Sequence, residues 1–249
     1  WTLPATTRAS TLIRRATIDL HGLPPPPAEV DDFLFDTDPD AFAKVVDRLL
    51  SSSRYGERWG RHWLDVARYS DSNGMDDNIV HGDAWRYRDY VIEAFNDDKR
   101  YDHFVREQIA GDLITDWGDD NRANSLIATG FLMLGPKMVG EDDAVKQKLD
   151  FADEQLATTT RAFMGLTIDC ARCHDHKFDP ISSREYYSLL GIFTSTKTVL
   201  TYRVTSKLNA TALYSESDEL RLSEIEDKFD FHDDFVTNAN LATTPEEVF

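Results

Sequence analysis

The sequence has 249 residues, of which 41% are hydrophobic and 29% are charged, a composition that is typical of globular proteins and excludes disorder of the whole chain. Acidic residues number 45 and basic residues 27, and because the resulting formal net charge of −18 repels phosphate backbones, we expect no nucleic-acid partner. No stretch approaches the roughly 18 apolar residues that a membrane-spanning helix needs, so we expect no membrane span in this chain.

The first half of the chain predicts short amphipathic helices separated by turn residues. Apolar residues at helical spacing begin at Leu12, and that helix is stopped by Gly22 and the prolines at 24–27. A short helix is predicted from Pro27, and a third follows the turn at 38–40, where two aspartates flank a proline. The later helices of this half are predicted at Trp59–Ala67, Trp85–Phe95 and Tyr101–Ile109.

The second half predicts longer helices and one short strand. An apolar helix over Ser125–Leu134 ends at Gly135-Pro136. The longest helical pattern covers residues 143–168 and leads directly into the two cysteines of the chain. A short aromatic helix is predicted over Ser183–Phe193, and Thr198–Val204 is the one β-branched run that favours a strand.

These patterns predict the fold class and the domain organisation. We expect a mainly α fold, with a single irregular multi-helix domain over residues 1–204 and few or no strands. Residues 205–249 are more acidic and have sparser apolar periodicity, so they are expected to form a peripheral arm or the start of a further module. The chain opens at Trp1 without an initiator methionine, which suggests a processed or excised segment whose signal sequence lies elsewhere.

The most informative stretch holds the only two cysteines, in Cys170-Ala171-Arg172-Cys173-His174. Cys-x-x-Cys-His is the attachment pattern of c-type haem, because two thiols on one turn can add to the vinyl groups at one porphyrin edge and the adjacent histidine can bind the iron. A zinc site would need more ligands, a thioredoxin-like pair would need a βαβ context, and two core cysteines at this spacing by chance are the remaining alternative. We predict one covalent haem c, enclosed by the helical domain, with Cys170 and Cys173 attaching it and His174 as an axial ligand.

Further motifs accompany the cysteines in chain order over roughly residues 10–198. They include Leu12-Ile13-Arg14-Arg15, Gly22-Leu23-Pro24-Pro25, Glu57 to Tyr69, Trp85 to Tyr90, Glu107 to Asp112, Thr129 to Leu132, Asp153-Glu154-Gln155 and Cys170 to Ile181. Together they resemble the planctomycete cytochrome-c-associated family called PSCyt2 or DUF1549. The resemblance implies an exported, predominantly helical, haem-associated domain that is usually followed by a second large domain, PSD1 or DUF1553. Met75 departs from the family, which more often has an aromatic residue there.

The second axial position of the iron has several candidates. His62 lies between two tryptophans on a predicted helix, where it is either a hydrogen-bonded core histidine or the distal ligand, and it ranks first among the ligands. The loop methionines Met138 and Met75 rank next, whereas Met133 and Met164 have the spacing of core residues. An open or water-ligated iron is the remaining alternative.

Polar residues close to the motif are expected to surround the haem. Arg172, His176 and Lys177 are the candidates for this role. His176 and Asp179 could contact the haem as outer-shell groups, or they could stabilise the turn that Asp179 and the following proline predict.

An acidic loop before Trp85 raises the question of a second metal. The loop offers the carboxylate oxygens that calcium prefers, from Asp71, Asp76 and Asp77. It lacks the regular spacing of an EF-hand, which argues against a calcium site.

Two functions are compatible with a haem in this chain. The first is a c-type cytochrome domain that transfers electrons to a redox partner protein or to an adjoining domain of the same parent chain. The alternative is a haem-dependent oxidoreductase or peroxidase-like enzyme acting on an extracellular small molecule or sugar, because the domain is larger than electron transfer requires. Since thioether attachment in bacteria takes place outside the cytoplasm, a periplasmic or otherwise exported location is expected.

Overall fold

The computed structural model describes residues 8–75, 78–115, 119–201, 207–208 and 213 of the chain. This part is mainly helical, which confirms the prediction of a mainly α fold. The helices are α1 (Ala9–His21), α2 (Pro27–Phe35), α3 (Ala41–Leu50), α4 (Ser53–Val66), α5 (Ala84–Asn96), α6 (Tyr101–Ala110), α7 (Asp119–Ala128), α8 (Ala144–Thr159) and α9 (Ser183–Thr194). Single turns of 3₁₀ helix cover Gly111–Leu113, Thr129–Leu132 and Asp169–Arg172, and a π turn covers Thr160–Met164.

Two very short strands form an antiparallel pair after α9. They are β1 (Val199–Thr201) and β2 (Lys207–Leu208), and Val199 pairs with Leu208. β1 lies within the strand predicted at Thr198–Val204, of which residues 202–204 lie outside the described residues. Within the described ranges, the expectation of few strands is therefore confirmed.

The main hydrophobic core lies between α4, α5, α6, α8 and α9, and the partly buried Trp63 of α4 packs against it. The Trp63 ring contacts Phe104 and Phe131 at centroid distances of 4.8 and 5.7 Å, and its indole N–H donates to the Tyr87 hydroxyl at 3.0 Å. Gly56 lets α4 approach α5 closely, because a Cβ there would fall 2.6 Å from the side-chain carbonyl carbon of Asn96. Gly56, Gly60 and Trp63 therefore mark the face of α4 that packs on the rest of the domain.

The helix that leads to the cysteines ends earlier than its periodicity predicts. α8 begins where the Asp143 side chain accepts hydrogen bonds from the backbone N–H groups of Val145 and Lys146. It ends in the π turn Thr160–Met164, after which Gly165 takes a left-handed conformation at φ 65°. The prediction of a continuous helix over 143–168 is therefore wrong, because a left-handed glycine stops the helix before the cysteine motif.

The chain divides into two compact units, residues 1–209 and 210–249. Residue 213 is the one described residue of the second unit, so the predicted arm or further module at 205–249 falls almost wholly outside the described residues. Among the helices that the structure describes, none combines the length and the apolar character needed to cross a membrane.

Candidate functional site

Cys170 lies within a 3₁₀ turn and Cys173 directly follows it, and Ala171 anchors this turn in the core. Ala171 is fully buried and its backbone N–H donates to the carbonyl of Ile168 at 2.8 Å, while Ile168 is itself 1% exposed. Cys170 and Cys173 are both exposed and both free, and the backbone N–H of Cys173 donates to the Cys170 carbonyl at 3.3 Å. The turn therefore presents two accessible thiols three residues apart on a backbone that is fixed from inside.

His174 is oriented by the residue that follows it. Its Nδ1 lies 2.8 Å from the backbone oxygen of Asp175, and because a carbonyl oxygen can only accept, this contact places the proton on Nδ1. Asp175 is fixed in turn, since its Oδ1 accepts from the backbone N–H of Ser183 at the start of α9, at 2.8 Å. The exposed imidazole of His174 thus keeps its Nε2 lone pair for a metal, which is the outer-shell arrangement of metal-binding histidines.

Arg172, the polar residue between the cysteines, is tied to α8 and α9. Its guanidinium donates to Asp153 at 2.7 Å and to Asp150 at 2.8 Å. The hydrogen bond to Asp150 and the charges of both aspartates raise the pKa of Arg172 against the opposing effect of burial. The buried Tyr186 donates to the Asp153 carboxylate, and Tyr187 donates to the Arg172 carbonyl at 2.9 Å. The cysteine turn is therefore locked onto two helices by charge-assisted hydrogen bonds.

His176 holds the loop after the motif. Its side chain is only 6% exposed, and its ring Nδ1 accepts from the backbone N–H of Asp179 at 2.9 Å. The backbone N–H of His176 donates to the carbonyl of Ile181 at 2.8 Å. These contacts support the turn-stabilising interpretation of His176. Lys177 is exposed and lies over the ring of Phe178 at 5.1 Å, and Phe178 is itself 83% exposed.

A cavity of about 490 Å³ opens beside the cysteine turn. It extends from Asp169 and Arg172 to Met75 and Met138, the two methionines that the sequence proposes as iron ligands. The remaining lining residues are Arg68, Pro136, Lys137, Lys146, Asp150, Phe151, Asp153, Glu154, Ala157 and Arg161. A cavity of this size lies within the range of about 300–1,000 Å³ that is common for cofactor and ligand pockets.

One wall of the cavity is a buried cluster of three charged side chains. Glu154 accepts from Lys137 at 2.9 Å and from Arg68, whose guanidinium also donates to the Glu154 backbone oxygen at 3.1 Å. The Lys137 side chain is 2% exposed, and burial, together with the charge of Arg68, lowers the pKa of Lys137, while Glu154 opposes this shift. Gly135 makes room for the cluster, because a Cβ there would lie 3.3 Å from the Arg68 guanidinium and overlap the Glu154 carboxylate.

Lys137 is not among the residues that the sequence motifs point to, although the other two members of the cluster belong to such motifs. Arg68 belongs to the motif from Glu57 to Tyr69, and Glu154 to Asp153-Glu154-Gln155. The available signal was a lysine within an otherwise apolar stretch, since it lies between Pro136 and Met138. Arg68 also has an unusual backbone conformation. Its φ of 56° lies in the left-handed region, which residues other than glycine rarely adopt.

The proposed distal ligands lie in different surroundings. His62 is exposed on α4, where its ring contacts Trp59 edge-on at 5.5 Å, so the interpretation of His62 as a core histidine is wrong. Met138 is half-buried and Met75 is 38% exposed, and both line the cavity. Met164 is 60% exposed and is not the core residue its spacing suggests. The cause is the π turn that contains it, because a π turn shifts the helical register.

The acidic loop that was considered as a calcium site lies partly outside the described residues. Asp76 and Asp77 are not among the described residues, so the predicted acidic loop is represented by Asp71 alone. Its carboxylate accepts from the Tyr69 hydroxyl at 2.7 Å. Where side chains are described, no group of three or more histidines, cysteines, aspartates or glutamates is placed to hold a metal ion.

His81, which lies near the charge of Lys137, makes the stability of the fold depend on pH. Burial and the nearby charge of Lys137 lower the pKa of His81, with Asp71 opposing, and its Nε2 is buried without a hydrogen-bond partner. A lowered pKa means that the unfolded chain binds a proton more readily than the folded one below about pH 6.5. The free energy of unfolding should therefore fall as the pH drops below that value.

We expect this fall to be smaller in His81→Gln than in the wild type, measured by urea unfolding between pH 7.5 and 5. Because both proteins have the same carboxylates, the pH dependence that comes from carboxylate titration cancels in the difference between them. Equal slopes of stability against pH in the two proteins would show that His81 titrates alike in the folded and unfolded chain.

Comparison with known proteins identifies a family for this chain. A family model described as PSCyt2, a protein of unknown function (DUF1549), matches residues 2–198. No curated protein and no solved structure matches the chain. The matched range covers every helix described above, the cysteine turn and the cavity beside it.

Proposed function

The chain belongs to the PSCyt2 (DUF1549) family, and from this premise we propose that it is a c-type cytochrome domain that carries one covalently bound haem and relays single electrons. Cys170 and Cys173 would attach the haem, and His174 would supply one axial nitrogen to the iron. The observation that carries the proposal is the state of His174, whose Nδ1–H is given to a backbone carbonyl while its Nε2 is left available beside two free, exposed thiols.

The residues around the motif support covalent attachment. Both thiols are accessible, so neither needs the fold to open before it can react. The backbone between them is anchored by the fully buried Ala171 and by the ion pairs of Arg172 with Asp150 and Asp153. A fixed turn lowers the entropic cost of holding two sulfurs and one nitrogen in a single geometry.

When bound, the haem would supply a one-electron Fe(III)/Fe(II) couple, and the chain would tune it. The Asp175 carbonyl orients the His174 ring by accepting its Nδ1–H. Arg172 brings a positive charge next to the attachment site, and its two aspartate partners outweigh that charge locally. Exposed apolar groups flank the motif, with Phe178 at 83% and Tyr187 at 55% exposure, and these groups could cover part of a porphyrin edge.

We propose that the parent protein works outside the cytoplasm. The electron would pass to a redox partner protein or to an adjoining domain of the same chain. Cell fractionation should find the haem-loaded parent protein in the periplasmic or another exported fraction, and recovery of that loaded protein from the cytosol would contradict this proposal.

Absorption spectra of the full chain, made in a host that attaches haem to cytochromes, test the proposed role. An electron carrier should give a low-spin spectrum in both oxidation states that carbon monoxide leaves unchanged, because both axial positions are filled. Rapid binding of carbon monoxide to the reduced protein would instead indicate an open iron and favour the haem-dependent oxidoreductase. A chain without any haem absorption would contradict both roles.

A further inference from the structure

The buried cluster of Arg68, Lys137 and Glu154 contains two cations and one carboxylate. Glu154 is shared by both cations, and its distance to the Lys137 ammonium is 2.9 Å. The side chains of Lys137 and Glu154 are 2% and 13% exposed, so water can offset little of the excess charge. Burial and the charge of Arg68 lower the pKa of Lys137, although Glu154 opposes both effects. Among the described residues, the cluster therefore lacks one negative charge.

The same two cations have hydrogen-bond donors without an acceptor. The Nε of Arg68 is buried and has no partner in the described structure, whereas its Nη2 donates to the carboxylate and the backbone oxygen of Glu154. The Lys137 ammonium has three N–H groups and, among the described residues, donates one hydrogen bond, to Glu154. Buried donors without acceptors destabilise a fold, so an oxygen anion bound at these groups would be favourable.

The backbone holds both cations in place before any ligand arrives. Arg68 follows Ala67, the C-cap of α4, and has a φ of 56°, a conformation that usually selects glycine at this position. An arginine is unfavourable there, and its contact with Glu154 gives its side chain a reason to be present. The carbonyl of Lys137 accepts from the buried side chain of Asn73 at 3.0 Å. Preorganised donors lose little conformational entropy when a ligand binds.

All three members of the cluster line the cavity of about 490 Å³, and the rest of the charged wall is balanced. The other charged lining residues are three cations and three carboxylates that are paired with one another: Lys146, Arg161 and Arg172 with Asp150, Asp153 and Asp169. The apolar part of the lining consists of Met75, Pro136, Met138, Phe151 and Ala157. Within this lining, the excess positive charge thus belongs to Arg68 and Lys137, next to groups that can contact a carbon skeleton.

We propose that this cavity is a binding site for a small organic carboxylate, whose charged group accepts hydrogen bonds from Arg68 and Lys137 and whose carbon skeleton contacts the apolar lining. A carboxylate supplies the missing negative charge and two oxygens for the unpaired donors. An inorganic anion would supply the charge but would leave the apolar lining uncovered. Neither the two cysteines nor His174 belongs to the lining residues, so the inference does not depend on a bound haem.

Isothermal titration calorimetry of the full chain, in the form in which it is isolated, tests the site. The probes are acetate, benzoate and glucuronate, each compared with a neutral counterpart (acetamide, benzamide and glucose) and with sulfate at constant ionic strength. We expect one carboxylate per chain to bind, at least about tenfold more tightly than its neutral counterpart, because charge-assisted hydrogen bonds are the stronger ones. Sulfate should bind more weakly than the best carboxylate. The inference is overturned if none of the three carboxylates binds, if the neutral compounds bind equally well, or if sulfate binds best.

Variants of the cations locate the site within the cavity. Lys137→Met removes the excess charge, keeps an unbranched apolar side chain and leaves Glu154 paired with Arg68, so we expect a folded protein with at least about tenfold weaker carboxylate binding. Arg68→Met removes the excess charge from the other side and should have the same effect. Far-UV circular dichroism checks that each variant is folded.

Lys146→Met is the matched control, since it removes a lining cation that already has two carboxylate partners, Glu141 and Asp150. We expect this variant to bind the carboxylate as the wild type does. If Lys146→Met weakens binding as much as Lys137→Met, affinity follows the overall charge of the surface and not the buried cluster, and the inference is wrong.

Discussion

Replacing Glu154 by glutamine is expected to destabilise the fold by about 3–5 kcal/mol, the usual cost of breaking a buried ion pair by removing one partner. Glu154 is the carboxylate that both Lys137 and Arg68 share. The Lys137 side chain is 2% exposed, so in the variant it must either keep an uncompensated buried charge or release its proton. Both outcomes cost free energy in the folded state only.

Chemical unfolding of the two proteins measures this cost, and the chain offers a matched control. Glu141→Gln removes a carboxylate from Lys146, whose side chain is 55% exposed, and exposed pairs contribute little. We expect no measurable loss in that variant. If Glu154→Gln loses no more stability than Glu141→Gln, the buried cluster is not a stabilising element of the fold.

Replacing His174 by alanine is expected to abolish the low-spin haem spectrum, because the variant retains both cysteines and lacks the axial nitrogen. In the wild type, His174 is exposed, and its Nδ1 contacts the backbone oxygen of Asp175 and not a side chain of the core. The substitution should therefore leave the melting temperature nearly unchanged. A large spectral effect with a small stability effect is the signature of a ligand.

His176→Gln is the matched control, since it changes the second histidine of the same segment. The wild-type His176 side chain is 6% exposed, and its Nδ1 stabilises the loop by accepting from the backbone N–H of Asp179. We expect this variant to lose stability and to keep the haem spectrum. The reverse pattern, with the spectrum lost in His176→Gln and kept in His174→Ala, would move the ligand to His176.

The helices could be predicted from sequence because they depend on local periodicity and turn residues. Gly22 caps α1 in a left-handed conformation at the position where the sequence predicts a stop, and Ser182 with Glu185 forms a capping box at the start of α9. The end of α8 could not be placed, since the helical pattern continues through Gly165 while the backbone does not.

The buried cluster could not be predicted because its partners are far apart in the chain. Arg68 and Glu154 are separated by 86 positions and Lys137 and Glu154 by 17. Hydropathy alone places a lysine at the surface, and only tertiary packing brings Lys137 next to a carboxylate. His62 shows the opposite error, since its tryptophan neighbours Trp59 and Trp63 suggested burial, yet the histidine lies on the exposed side of α4.

The cysteine motif was predicted from spacing, and the structure adds its surroundings. Sequence alone could not reveal that Arg172 is bound to α8 through Asp150 and Asp153, or that His174 has its Nδ1 proton fixed by a carbonyl. Nor could it reveal the cavity that both Met138 and Arg172 line. The Arg172 ion pairs and the cavity arise from helix packing, which local sequence patterns do not specify.

The most direct test of covalent haem attachment is the intact mass of the chain after acid denaturation and organic extraction, which remove any haem that is not covalently bound. Produced in a host with a cytochrome c maturation system, the wild-type chain should retain the mass of one haem. The double variant Cys170→Ala and Cys173→Ala should have the mass of the bare polypeptide. A bare polypeptide mass for the wild type, from a host that loads a control cytochrome, would contradict the account.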